Sequence, residues 1–218
     1  MAVFEQVDGY CERMGPAYWA EPVNAVTNLA FLLAALVMWP RVRGLPLGRA
    51  MVVVLAAIGV GSYLFHTHAN RLTGILDVTP ILGFILLYVF AASRDMLGMK
   101  PWQAGVAVVA FIPYSAALVP LFGLIPGIGS SAGYAPVPLL ILIYAALLRA
   151  SAPATARGLA LGAGVLMVSL TLRTLDGPWC DALPVGTHFL WHVLNGVMLG
   201  WMIEVYRRHR MPEVGQGG

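Results

Sequence analysis

The sequence predicts an all-α integral membrane protein, a single seven-transmembrane helix bundle with its N-terminus outside and its C-terminus cytoplasmic. Three observations predict it. The chain has 218 residues, of which 59% are hydrophobic and 11% charged, a composition far from that of a soluble domain of this length. Apolar stretches of about 17 to 22 residues, enough to cross roughly 30 Å of hydrocarbon, part into seven at clusters of charge, proline and glycine. The basic residues then fall largely on one side of those seven.

Taken in order, the predicted spans cover residues 23–38, 50–66, 76–92, 102–121, 134–148, 159–172 and 184–206. Residues 1–210 form one domain, and 211–218 (MPEVGQGG) read as a short disordered tail. Arg41, Arg43 and Arg49 lie between the first and second spans, Arg94 and Lys100 between the third and fourth, and Arg149 and Arg157 between the fifth and sixth. Arg207, Arg208 and Arg210 follow the seventh. Only Arg13, Arg71 and Arg173 fall on the other side, so the positive-inside rule puts the C-terminus in the cytoplasm. An odd number of spans then puts the N-terminus outside. The opening MAVFEQVDGYCERMG is acidic and lacks the basic start of a signal peptide, so the first span is expected to direct insertion. A net charge of +3 and a pI near 9.1 report orientation here rather than nucleic-acid binding.

Ionisable side chains inside a membrane are costly and mark function, and here they gather at one depth. Ser62 and His66 stand four apart on one face at the outer end of the second span, Asp77 opens the third, and His188 and His192 stand four apart where the seventh begins. Glu21, Asn24 and Asn28 share a face at the outer end of the first. Three neutral imidazoles from two helices match a catalytic zinc site with three protein ligands and an open fourth position. The bland alternatives are a hydrogen-bonded histidine pair for His188 and His192, an interfacial histidine for His66, and for Asp77 a helix N-terminal residue favoured by the dipole. His68 reads as interfacial and His209 as a solvated member of the basic end.

These residues, taken with "YCE" at Tyr10 to Glu12, "EPVNAVTNLAF" at Glu21 to Phe31, "GSYLFHTH" at Gly61 to His68, "LDGPWCD" at Leu175 to Asp181 and "GTHFLWHVLNG" at Gly186 to Gly196, make nearly the whole chain resemble the alkaline ceramidase family. Its members are membrane amidases within a wider group of seven-helix zinc hydrolases. The resemblance implies that His66, His188 and His192 bind zinc, that Asp77 serves as general base and acid on water and leaving amine, and that Ser62 stabilises the reacting carbonyl oxygen. Cys11 and Cys180, the only two cysteines, both fall outside, where disulfides persist; the topology predicts a Cys11 to Cys180 bridge and the resemblance implies the same pairing. It also implies a calcium site near the first span, for which Asp8, Glu12 and Glu21 are the carboxylates at hand. Gly9 and Met14 stand where the family has an aspartate and an asparagine, which leaves few oxygens for an ion that takes six to eight. Glu21 has a second reading as a partner that orients a zinc histidine.

An interfacial zinc site in an apolar bundle suits an amphiphile drawn from the bilayer, so the expected substrate is ceramide or another N-acyl lipid. Compact loops and richness in Ala, Gly, Val and Arg suggest a bacterial chain, and the topology then puts the site toward the periplasmic side of an inner membrane. Three rival readings fit a polytopic helical chain. A retinal pigment needs a membrane lysine, and the sole lysine, Lys100, lies in a predicted loop. A transporter needs polar groups through the midplane, where the inner halves offer chiefly isolated Ser, Thr and Tyr. A zinc-binding receptor or lipid-binding protein without hydrolysis would keep the three histidines.

Overall fold

A computed structural model describes residues 3–211; the tail expected at 211–218 lies, but for Met211, outside the described residues. Those residues form a helical bundle, and the one strand-like contact is an isolated antiparallel bridge between Gln6 and Asn70. The helices are α1 (Pro22–Thr27), α2 (Leu29–Arg41), α3 (Pro46–His68), α4 (Arg71–Ala91), α5 (Pro101–Phe122), α6 (Pro136–Leu148), α7 (Pro153–Leu175) and α8 (His188–Arg210). Five of them open on proline, at Pro22, Pro46, Pro101, Pro136 and Pro153. That position needs no N–H, and its fixed φ suits a first turn.

Six helical segments are long and apolar enough to cross a membrane: Pro22–Arg41, Pro46–His68, Arg71–Met96, Pro101–Phe122, Gly129–Leu148 and Pro153–Leu175. The seventh predicted span corresponds to α8. It has 23 residues, but His188, His192, Asn195, Glu204 and the terminal arginines dilute its apolar character. It begins at His188 rather than near Pro184. α8 packs against α2, α3 and α7, and neighbours run α2, α3, α4, α5, α6, α7 and α8 around the bundle. α5 buries only Ala104 and Phe111, and outward-facing Leu33, Leu36, Val53, Val109, Leu147 and Val197 are exposed, as a lipid-facing surface requires.

Two boundaries differ from expectation in ways that bear on the site. The first span breaks at Asn28: the Thr27 hydroxyl donates back to the Val23 carbonyl, and the Asn28 amide to that of Asn24, and such back-bonding loosens a helix. The third span does not begin with Asp77. Asn70 caps α4, accepting from the Thr73 N–H at 3.0 Å while the Asn70 N–H donates to the Thr73 hydroxyl at 3.1 Å, a reciprocal cap that starts the helix six residues earlier. Asp77 therefore lies nearly two turns inside α4, beyond the reach of a terminal dipole.

His209 is also not simply solvated. Its Nδ1 lies 2.9 Å from the Thr155 hydroxyl and its Nε2 3.2 Å from the Asp95 carbonyl. Around it the Tyr206 hydroxyl donates to Asp95 at 2.6 Å, and Arg207 and Arg208 donate to the buried Glu204. This network ties the end of α8 to the π-helical turn Ala92–Met96 that ends the third span.

Candidate metal centre

Close helix approach assembles the centre. At Gly61 of α3 an added Cβ would meet the Leu76 carbonyl oxygen of α4 at 2.2 Å, so only glycine lets these backbones touch. The residues next along each chain, Ser62 and Asp77, are thereby brought close across the two helices, with Asp77 Cα 3.4 Å from that Cβ position. At Gly196 of α8 a Cβ would meet the Ala30 backbone of α2 at 2.9 Å, which draws α8 against the broken first span.

His66 of α3 and His188 and His192 of α8 meet at this junction. All three are buried, and the nitrogens they offer lie within 4.8 Å of one another. Ring centroids are 5.2 Å apart for His66 and His188 and 4.7 Å for the other two pairs. Five buried side-chain atoms lack a hydrogen-bond partner among the described residues: His66 Nε2, His188 Nδ1, His192 Nε2, Asn24 Oδ1 and Asn28 Oδ1. Buried polar atoms are otherwise almost always paired, and here every exception belongs to the centre or the adjoining turn of α1.

The partners of the outer nitrogens fix what the inner ones offer. Glu21 Oε2 lies 2.5 Å from His66 Nδ1; a carboxylate only accepts, so Nδ1 carries the proton and Nε2 a lone pair. Thr27 Oγ1 lies 3.0 Å from His192 Nδ1 and spends its own proton on the Val23 carbonyl, so here too Nδ1 donates and Nε2 is left with a lone pair. Two Nε2 lone pairs in one buried space are what a soft divalent cation binds. The donor set fits zinc.

Residues with no assigned role in the sequence hold these groups in place. Arg13 pairs with Glu21 through Nε and donates from Nη2 to the His66 carbonyl at 3.0 Å. Burial pushes the Glu21 carboxyl up, yet the His66 and Arg13 hydrogen bonds and charges outweigh it and hold the group below its ordinary range. Asp176 accepts from the Thr187 and His188 N–H groups at 2.8 and 2.9 Å and from the Cys11 N–H at 3.1 Å. It thereby caps α8 at its first histidine and anchors the N-terminal segment. The Cys11–Cys180 disulfide, spanning 169 positions, fastens the same segment, and Tyr10 beside it stacks on His188 with centroids 3.7 Å apart.

The carboxylates expected for calcium have the following partners. Glu12 accepts from the Val23 and Asn24 N–H groups at 2.6 and 2.8 Å, capping α1; Glu21 is taken by Arg13, Asn24 and His66; Asp8 is exposed. The histidine trio is the one group of three or more His, Cys, Asp or Glu side chains fit to hold a metal among the described residues. His68 is exposed and edge-on to Tyr18.

Inward of the centre an apolar crevice runs between α2, α3, α4, α6, α7 and α8, lined by residues including Phe31, Ile58, Phe84, Leu166, Trp191 and Met202. Trp191 and Met202 stand 11 positions apart on α8, about 16 Å at 1.5 Å per residue. Phe31 contacts His192 edge-on, so the crevice opens beside the histidines.

Compared with known proteins, the chain matches no protein-family model and no curated sequence.

Proposed function

We propose that the protein is a membrane-embedded, zinc-dependent amidohydrolase that cleaves the N-acyl amide of ceramide or a related N-acyl lipid to a fatty acid and a free amine. Seven helices embed it, with the N-terminus outside and the C-terminus cytoplasmic. The observation that carries this reading is the trio of buried, unpartnered histidine nitrogens set beside a serine–aspartate pair. His66, His188 and His192 would hold the ion; when bound, zinc lowers the pKa of water toward neutrality and polarises an amide carbonyl. Asp77 takes the proton of the attacking water and returns it to the leaving nitrogen. Ser62, close to Asp77 across the α3–α4 contact, offers its hydroxyl to the carbonyl oxygen.

Several features support this substrate class and topology. The crevice is apolar, leads inward from the histidines and is about half a bilayer's hydrocarbon deep, which suits an acyl chain. The Cys11–Cys180 bridge suits an oxidising outer compartment, in a bacterium the periplasm. The basic residues weigh toward the opposite face. The resemblance to alkaline ceramidases points to the same chemistry.

The test pairs metal content with turnover. Purified protein is expected to carry about one zinc per chain and to release fatty acid from an N-acyl lipid, with Asp77→Asn keeping the zinc and losing the release. Zinc-loaded protein that cleaves no N-acyl lipid would overturn the hydrolase in favour of a zinc-binding receptor.

A further inference from the structure

Arg173, near the end of α7, is half-buried beside the histidine centre with no carboxylate in ion-pair distance among the described residues; Arg13, the buried arginine there, is paired with Glu21. Its position is fixed on two sides. Nη1 donates to the Ser130 and Ser131 hydroxyls at 2.8 and 3.0 Å. The guanidinium covers the rings of Tyr134 and Trp191, 5.4 and 5.5 Å from their centroids. A guanidinium stacked and bonded in this way has lost its rotamer freedom before any ligand arrives, and its planar fork suits an oxyanion.

Its surroundings locate that oxyanion. Tyr134 and Trp191 also line the apolar crevice, so Arg173 sits at the crevice's outer rim. Trp191, which the guanidinium covers, directly precedes His192 on α8, so the cation stands beside the helix that carries two of the histidines. Asp77 feels the Arg173 charge without pairing to it.

We infer that Arg173 binds an anionic group on the amine side of the scissile amide, so that the site takes N-acyl amino acids, with an acyl chain in the crevice and a short carboxylated head at the rim. The inference rests on the hydrolase reading for the identity of the bond cleaved. Water gives its oxygen to the acyl carbon and a proton to the amide nitrogen, the C–N bond breaks, and a fatty carboxylate and a free amino acid leave with nothing oxidised or reduced.

The test is binding, kept apart from turnover by using the Asp77→Asn chain, zinc-loaded, in phosphatidylcholine nanodiscs. The probes are N-lauroylglycine and N-lauroylethanolamine, which differ in charge but share the amide and chain. The glycine amide is expected to bind about tenfold more tightly, and adding Arg173→Gln to remove that preference while leaving N-lauroylethanolamine unchanged. Equal affinities in the parent, or parallel weakening of both probes, would overturn the inference, as would an Arg173 dependence seen with laurate but not with N-lauroylglycine. Should the glutamine variant not fold, Arg173→Lys keeps the charge without the fork and is expected to weaken N-lauroylglycine alone; an unchanged or parallel response overturns the inference. If the protein with Asp77 intact cleaves neither amide while the preference persists, the hydrolase reading fails and the Arg173 assignment holds; if both amides are cleaved and bound alike, the reverse is true.

Discussion

Glu21 Oε2 lies 2.5 Å from His66 Nδ1, and the same carboxylate is held on its other oxygen by Arg13. One acidic side chain thus sets the tautomer of a histidine of the candidate centre and neutralises a buried cation. Glu21→Gln is expected to lower zinc affinity by about 10 to 100-fold, the usual consequence of losing a carboxylate that orients a ligand histidine. Competition with a graded chelator, read by elemental mass spectrometry, measures it. His192→Ala, which removes a nitrogen outright, is expected to leave the chain without stoichiometric zinc.

The depressed Glu21 carboxyl also has a pH consequence in metal-free protein. A group whose folded pKa lies below its unfolded value contributes stability that is present above the unfolded value and lost as pH falls through the folded one. Thermal melts of the metal-free chain are therefore expected to lose stability on acidification below the ordinary carboxylate range. Glu21→Gln should flatten that limb, and an unchanged acid limb in the variant would refute the assignment.

Calcium is expected to leave the melting temperature unchanged after chelation, because Glu12 caps α1 and Arg13 already supplies the positive charge beside Glu21. Arg13→Gln leaves the carboxylate without its cation and should destabilise the fold by about 3 kcal/mol, as breaking a buried pair does. Calcium titration of both proteins in the same melt assay checks the two statements together.

Gly61→Ala is expected to separate the roles of packing and chemistry. Its Cβ would meet the Leu76 carbonyl at 2.2 Å, and the offending atom is backbone, so α4 must move and take Asp77 with it. A loss of about 1 to 3 kcal/mol in stability should accompany a fall in turnover, with zinc retained because none of the three histidines is on α4. Denaturation and metal analysis on one preparation give both readouts.

Asp176→Asn is expected to weaken the start of α8. Three backbone N–H groups lose a charged acceptor, each such bond contributing about 1.5 kcal/mol or more. His188 is the first residue of that helix, so zinc affinity should fall along with stability. A variant that melts lower yet binds zinc as tightly as the parent would show that the cap acts on the fold alone.

Much of the bundle was readable because its signals are local. Apolar length and the prolines that open five helices mark where spans lie, and four-residue spacing puts Ser62 with His66 and His188 with His192 on shared faces. Asp77 was singled out but misplaced along its helix, because the reciprocal cap between Asn70 and Thr73 is a weaker signal than the apolar run behind it. Arg13, Asp176 and Arg173 were missed as site residues for a different reason. The partners that tie them to the centre lie up to 165 positions away in the chain, and in a sequence isolated charges on the sparsely basic side look like topology. The available hint was their scarcity, since only three basic residues fall on that face and two of them reach the histidine centre.

The polar face of α8 has a bearing on when the histidine centre can exist. The six segments apolar enough to cross a membrane do not include α8, which packs on α2, α3 and α7. Two of the three imidazoles ride on it and the third stands on α3. The trio is therefore complete only while α8 is docked, and anything that loosens that helix takes the three nitrogens apart before it unfolds the rest of the bundle.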